Sequence, residues 1–266
     1  MNTSPPRGQA RGGHHNHQPT GGPVTPYYQD DNVTIYHGDC RDILPRLTFD
    51  LVVTDPPYGI GLDTDFSGLR GTADFNQRHG NYRGKRHRKV IGDNEEFDPT
   101  FLLAAPTAMF GANHYAQRLP PGCTWHVWDK RDGIGSNMLA DAEMWVTTWQ
   151  SGPTRIYRHR WLGYMRPKGR DGDGFDHPTA KPLALMRHII GEPRTPTGVI
   201  ADPFMGSGST LRAAKDLGRR AIGVELEERY CEIAARRLEQ EVLDFGASPQ
   251  CVQPDDTPPQ PRMFDL

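Results

Sequence analysis

No Cys-x-x-Cys pair occurs in this chain of 266 residues. Its cysteines, Cys40, Cys123, Cys231 and Cys251, are scattered. That excludes zinc-ribbon spacing and a disulfide framework, and it fits a reducing cytosol. Also missing is an apolar run of about 20 residues, so no membrane span is expected, and the N-terminus shows no signal-peptide core. A surplus of positive charge is lacking too: 31 Lys and Arg stand against 33 Asp and Glu. Any nucleic-acid surface must therefore come from local segregation of charge. Aliphatic side chains are scarce in residues 1–29 and 247–266, which are expected to be disordered tails. His14, His15 and His17 lie in the first tail without Cys or acidic neighbours. They read as low complexity, and no metal site is expected.

Between the tails, residues 30–246 alternate strand and helix signals. Strands are predicted over Val33–Tyr36, Leu51–Thr54, Thr124–Trp128, Met144–Trp149, Ile156–Leu162, Val199–Ala201 and Ala221–Val224. The Met144 and Ile156 strands are read as an antiparallel pair. Helices are predicted over Phe101–Phe110 (interrupted by Pro106), Lys181–Ile190, Thr210–Leu217 and Glu227–Leu243. In the last, Tyr230, Ile233, Ala234, Leu238 and Val242 share one face. This alternation predicts an α/β fold, a mostly parallel sheet with helices on both faces and ligands at the strand C-termini.

Two segments carry chemistry. Asp55-Pro56-Pro57-Tyr58 follows the apolar run Leu51–Val53. Proline fixes its own φ and pushes the preceding residue toward extended geometry. The Asp55 carboxylate and the Pro56 carbonyl are thus two stiffly held acceptors beside an aromatic ring. That set suits a planar exocyclic amine, whose nitrogen becomes more nucleophilic when both N–H groups are bound. The second segment, Asp202-Pro203-Phe204-Met205-Gly206-Ser207-Gly208-Ser209-Thr210, follows a strand and opens a helix, with Glu225 ending the next strand. A nicotinamide fingerprint would need glycine where Leu211 stands, and the Gly-Lys-Ser/Thr of a P-loop is absent. An acidic residue ahead of the glycines suits a cationic ligand better than a pyrophosphate.

These segments, with His177-Pro178-Thr179-Ala180-Lys181-Pro182 between them, resemble the amino-group DNA methyltransferases. The order of motifs resembles the β-class arrangement, circularly permuted within a Rossmann-like methyltransferase fold. The resemblance implies S-adenosyl-L-methionine as cofactor and double-stranded DNA as partner. Asp55, Pro56, Pro57 and Tyr58 are the implied catalytic set, with Tyr58 stacking on the base. Asp39, Asp55, His177, Thr179, Lys181, Asp202, Phe204, Gly206, Gly208, Thr210 and Glu225 are the implied donor site. There Gly206 and Gly208 line the donor, Glu225 grips the ribose and Lys181 pairs with the donor carboxylate. The implied reaction is direct in-line transfer to adenine N6 on a base turned out of the duplex. Cytosine N4 is the near alternative; glutamine methylation and a non-catalytic donor-binding module are remote ones. A homodimer and a bacterial or phage-infected cytoplasm are also implied.

DNA contacts are expected from the basic loop 61–92, through Arg78, Arg83, Lys85, Arg86, Arg88 and Lys89. A second set, Arg158, Arg160, Arg166 and Lys168, lies in a short target-recognition segment at 151–176, between the last strands and the His-Pro-Thr element.

Overall fold

The computed structural model describes residues 22–65, 88–131, 140–149, 152–161 and 180–239. Among these, the strands are β1 (Tyr28–Gln29), β2 (Val33–His37), β3 (Leu51–Thr54), β4 (Thr107–Phe110), β5 (Thr124–Asp129), β6 (Ala142–Thr147), β7 (Ile156–Arg158), β8 (Ile200–Asp202) and β9 (Ala221–Glu225). The α-helices are α1 (Cys40–Ile43), α2 (Leu183–Gly191), α3 (Ser209–Asp216) and α4 (Glu228–Glu239). The strands form a single sheet in the order β1-β2-β9-β8-β3-β4-β6-β5-β7.

β3 explains the frame. Every residue in it is buried. Leu51 and Val53 enter one hydrophobic cluster and Val52 another, so alternating side chains serve two cores. A strand covered on both faces belongs inside a parallel sheet. It pairs in parallel with β4 and β8, and β8–β9 and β9–β2 are parallel as well. Beyond β4 the sheet turns antiparallel through β6 and β5, and β1 adds an antiparallel edge on β2. The α/β, mostly parallel architecture read from the sequence is the one observed.

The two faces are covered differently. Leu185, Met186, Leu211, Ala213, Ala234 and Leu238 of α2, α3 and α4 pack with Leu51 and Val53. On the other face the cover is α1, with Cys40 and Ile43, and loop residues such as Leu47, Phe49, Phe97 and Leu102. Proline keeps that side from forming long helices: Pro45 lies in a 3-10 turn, and Pro99 precedes another at Thr100–Leu102.

Several expectations are corrected here. The helix over Phe101–Phe110 does not form; the 3-10 turn ends at Leu102, and Thr107–Phe110 is a wholly buried strand between β3 and β6. Pro106 disfavours a helix running through it, and the apolar tetrapeptide after it has the length of a short buried strand. The strands near Met144 and Ile156 run in opposite directions but are not paired, because β5 lies between them. Ile156–Arg158 joins the sheet beside β5. The N-terminal tail stops before Tyr28, whose backbone pairs with Ile35 and whose hydroxyl donates to Asp30 at 3.0 Å. Val242 lies outside the described residues; Ile233 is half-buried, while Tyr230, Ala234 and Leu238 are buried as expected. Among the described residues no helix is long and apolar enough to cross a membrane.

Candidate active site

The parallel strands β2, β9, β8 and β3 end on the same edge of the sheet. There the sequence places Asp39, Glu225, Asp202 and Asp55 in turn. Ligands of open α/β sheets bind at this edge, outside the strand C-termini. A cavity of about 980 Å³ lies there, and Asp39, Asp55, Asp202 and Glu225 all line it. Pro56, Pro57, Tyr58, Lys181, Phe204, Gly206 and Thr210 line it too. The two motif halves thus open into one continuous space. Gly208 does not line it, contrary to expectation. Its φ is +77°, and a Cβ there would lie 2.9 Å from the Ala234 Cβ, so glycine serves the approach of α4 to the α3 N-terminus. His177 and Thr179 lie outside the described residues.

In the cofactor half, Asp202 is almost fully buried. Its Oδ1 accepts from the Thr54 hydroxyl at 2.7 Å, which ties the ends of β3 and β8, and from the Phe204 N–H at 3.2 Å. Burial pushes its carboxyl up to about 6, against the Thr210 and Thr54 hydroxyls and the Phe204 N–H. Among the described residues no cation pairs with it. Glu225 accepts from the Gly206 N–H at 3.0 Å and the Glu227 N–H at 2.8 Å. Burial raises its carboxyl as well, partly opposed by those N–H groups. Asp39 caps α1 by accepting from the Arg41 N–H at 2.8 Å and is exposed to the cavity. Phe204 meets the Phe97 ring edge-on at 5.7 Å.

The catalytic half is an ion-pair chain. Asp55 Oδ1 accepts from the Tyr58 hydroxyl at 2.6 Å, and its Oδ2 pairs with the Lys181 ammonium. Lys181 also faces Glu143 Oε2 at 3.3 Å, and Lys130 pairs with Glu143 Oε1 at 2.7 Å. Two carboxylates and two ammonium groups thus alternate. Burial makes Asp55 the carboxyl that protonates more readily, although Lys181 opposes this. Glu143, beside two cations that outweigh its burial, is held down at about 2. The Lys181 ammonium is held above its usual value because Asp55 and Glu143 together overcome its burial.

Two of the expected site residues have further partners. Lys181 pairs with Asp55 and Glu143. The Tyr58 ring is stacked on His114, with centroids 5.3 Å apart and planes at 16°, so one ring face is already covered. Gly111 makes room for it: a Cβ there would lie 2.1 Å from the ring. Sequence reasoning missed Glu143, Lys130, His114 and Asp93. Glu143 was the nearest to being found, because β6 begins at Ala142 rather than Met144 and carries an acidic side chain into an otherwise apolar strand. Of the basic residues, Arg88 and Lys89 are exposed at the cavity and Arg88 lies 3.8 Å from Glu227. Arg158 and Arg160 are exposed at β7, away from the cavity lining, and Arg158 lies 3.8 Å from Asp129. Arg78, Arg83, Lys85, Arg86, Arg166 and Lys168 lie outside the described residues.

A family model for N6 and N4 methylases, described as DNA methylase, matches residues 124–236. The type II methyltransferase M.ScaI of Streptomyces caespitosus is 24% identical over 265 residues, covering 81% of this chain and 84% of that protein. The type II methyltransferase M2.LlaDCHI of Lactococcus lactis subsp. cremoris is 22% identical, covering 80% of this chain and 91% of its own length. These matches support an amino-group DNA methyltransferase of the N6 and N4 family. The resemblance implies DNA as substrate and S-adenosyl-L-methionine as methyl donor. Among solved structures, PvuII DNA methyltransferase (cytosine-N4-specific) matches with a TM-score of 0.53 at 15% identity, covering 81% of this chain and 89% of that one. That likeness shows a common fold.

The residues present fit such a donor. It carries an ammonium and a sulfonium, and Asp202 is a buried carboxylate without a cation of its own among the described residues. A cationic ligand would supply the charge that burial otherwise makes costly.

Proposed function

We propose that this enzyme methylates adenine N6 in double-stranded DNA at specific sites, by direct in-line displacement on a base turned out of the duplex. The observation that carries the reading is one cavity lined by Asp55, Asp202 and Glu225 together. A donor held by Asp202, Glu225, Asp39 and Phe204 and an amine held at Asp55 would share that space. Bound there, S-adenosyl-L-methionine supplies an electrophilic methyl group.

The chain's own residues do the rest in this account. Asp55 and the Pro56 carbonyl accept the two N–H groups of the amine, drawing its lone pair out of the ring. Their stiffness lowers the reorganisation needed in the transition state. After transfer the nitrogen carries an excess proton, and Asp55, whose carboxyl burial makes easier to protonate, is placed to take it. No cysteine enters the scheme, consistent with the burial of Cys40 and Cys231. Arg88 and Lys89, at the mouth, are the proposed phosphate contacts nearest the site; Arg158 and Arg160 would touch DNA farther out.

Aspartate at the head of the Asp-Pro-Pro-Tyr tetrapeptide favours adenine over cytosine N4, because the family's cytosine enzymes lean to serine there. The modified nucleoside decides the matter. DNA from a methylation-free host, treated with the enzyme and isotope-labelled donor, is hydrolysed and resolved by mass spectrometry. The expected product is labelled N6-methyldeoxyadenosine; labelled N4-methyldeoxycytidine alone would make the cytosine reading correct.

A further inference from the structure

We propose that Asp93 is the positioning residue of the catalytic turn, holding Tyr58 to Leu62 so that Asp55 and Pro56 present their acceptors in register. The inference rests on the reading of Asp55 as the amine site and adds a residue to it.

Asp93 Oδ1 accepts from the main-chain N–H groups of Tyr58 at 2.9 Å, Gly59 at 3.0 Å and Ile60 at 3.4 Å. Its Oδ2 accepts from the Leu62 N–H at 2.6 Å. The intervening Gly61 N–H donates to the Asp93 main-chain carbonyl at 2.6 Å. Five consecutive donors, from Tyr58 to Leu62, are thus satisfied by one residue. The chain makes this possible with left-handed glycines, Gly59 at φ +74° and Gly61 at φ +60°. Such alternation turns successive N–H groups to one side and forms a concave anion cradle. At Gly59 space also demands glycine, since a Cβ would lie 2.4 Å from the Glu95 carbonyl oxygen. Asp93 is only 6% exposed, and among the described residues no cation pairs with it, so the N–H dipoles carry the compensation. The same turn touches the motif itself: a Cβ on Gly92 would lie 3.6 Å from Pro57 Cγ.

The consequence is mechanical. Tyr58 is fixed at its N–H by Asp93 and at its hydroxyl by Asp55. The prolines set the torsions before it, and among the described residues Asp93 fixes where the turn goes after it. Losing that anchor frees the catalytic strand end on one side while leaving Asp202 and Glu225 untouched.

The test uses the full-length protein with Asp93→Asn, Asp93→Ala and Asp55→Ala. Donor affinity is measured by calorimetry, and single-turnover methylation is measured on saturating unmodified genomic DNA. Asp93→Asn keeps the Oδ1 acceptor but sets an amide against the Leu62 N–H. Its transfer rate is expected to fall about tenfold. Asp93→Ala orphans the whole turn, and a loss of about 100-fold is expected, the scale of a small misplacement of reacting groups. Donor affinity stays within about threefold in both, because uniform loss of binding is not what positioning predicts. If Asp93→Asn transfers as fast as wild type, or loses donor affinity in step with rate, the inference is overturned. If Asp93→Ala does not fold, Asp93→Asn alone carries the decision. Asp55→Ala separates the two readings: full activity there refutes the amine site, whereas an inactive Asp55→Ala beside a fully active Asp93→Asn refutes only the role of Asp93.

Discussion

Replacing Lys181 by methionine should damage stability and move the pH dependence of methylation together. Methionine keeps an apolar stem beside Phe110, whose ring centroid lies 5.1 Å from the ammonium, and removes the charge. At the 3.3 Å separation from Glu143, one such pair attracts by about 5 kcal/mol at an effective dielectric near 20. Desolvation offsets part of this. Breaking a buried pair by removing one partner typically costs about 3–5 kcal/mol, because the other charge is left uncompensated. Here two carboxylates would be left facing each other, with Lys130 on Glu143 as partial relief. Lys181 lowers the Asp55 carboxyl, so its loss raises that group further. A carboxyl raised in the folded state gives stability that is present below its unfolded value and lost as pH rises through its folded value. The deficit of Lys181→Met should therefore grow with pH. If transfer needs ionised Asp55, the acid limb of the rate profile should also shift to higher pH. Urea unfolding at several pH values, with single-turnover rates across the same range, measures both. Adding Glu143→Gln should recover part of the loss, with a coupling energy of about 1–3 kcal/mol. Stability within about 0.5 kcal/mol of wild type, with an unmoved acid limb, would refute the ion-pair chain.

Two further substitutions probe the cofactor side and its packing. Asp202→Asn should stabilise the donor-free protein by up to about 3 kcal/mol above pH 6, since a rise from 3.8 to about 6 is unfavourable to the ionised form. Because the shift is upward, that gain should vanish as pH falls below about 4, and donor affinity should fall at every pH where Asp202 is charged; melting and calorimetric titrations check both. Gly208→Ala should lower stability by about 2 kcal/mol, from the left-handed φ and the 2.9 Å approach to the Ala234 Cβ. Thermal melts with Ala234→Gly in the same chain should recover the steric part and leave the conformational part.

The sequence made the motif halves legible because each is a strand followed by residues with fixed backbone chemistry. Asp55-Pro56-Pro57-Tyr58 follows an apolar run, and Gly206 to Thr210 opens a helix; both local signals survive in the fold. Residues brought in from other strands were not legible. Glu143 reaches Asp55 only through Lys181, across antiparallel strand β6, and no spacing rule links positions that far apart. Asp93 belongs to the same class, 35 positions beyond Tyr58 and joined to it only by backbone donors. Pro106 misled the reading of Phe101–Phe110, because an interrupted helix and a turn before a short buried strand share the same apolar content. Gly208 was assigned to the ligand because a glycine beside a helix N-terminus suits both close packing and ligand approach, and only the position of Ala234 separates the two.

The most direct test of the account is Asp55→Ala, with donor binding and methyl transfer measured on the same preparation. The account predicts near-native affinity for S-adenosyl-L-methionine in calorimetry and loss of labelled N6-methyldeoxyadenosine from DNA. Equal loss of donor affinity and transfer, or transfer at the wild-type rate, would contradict it.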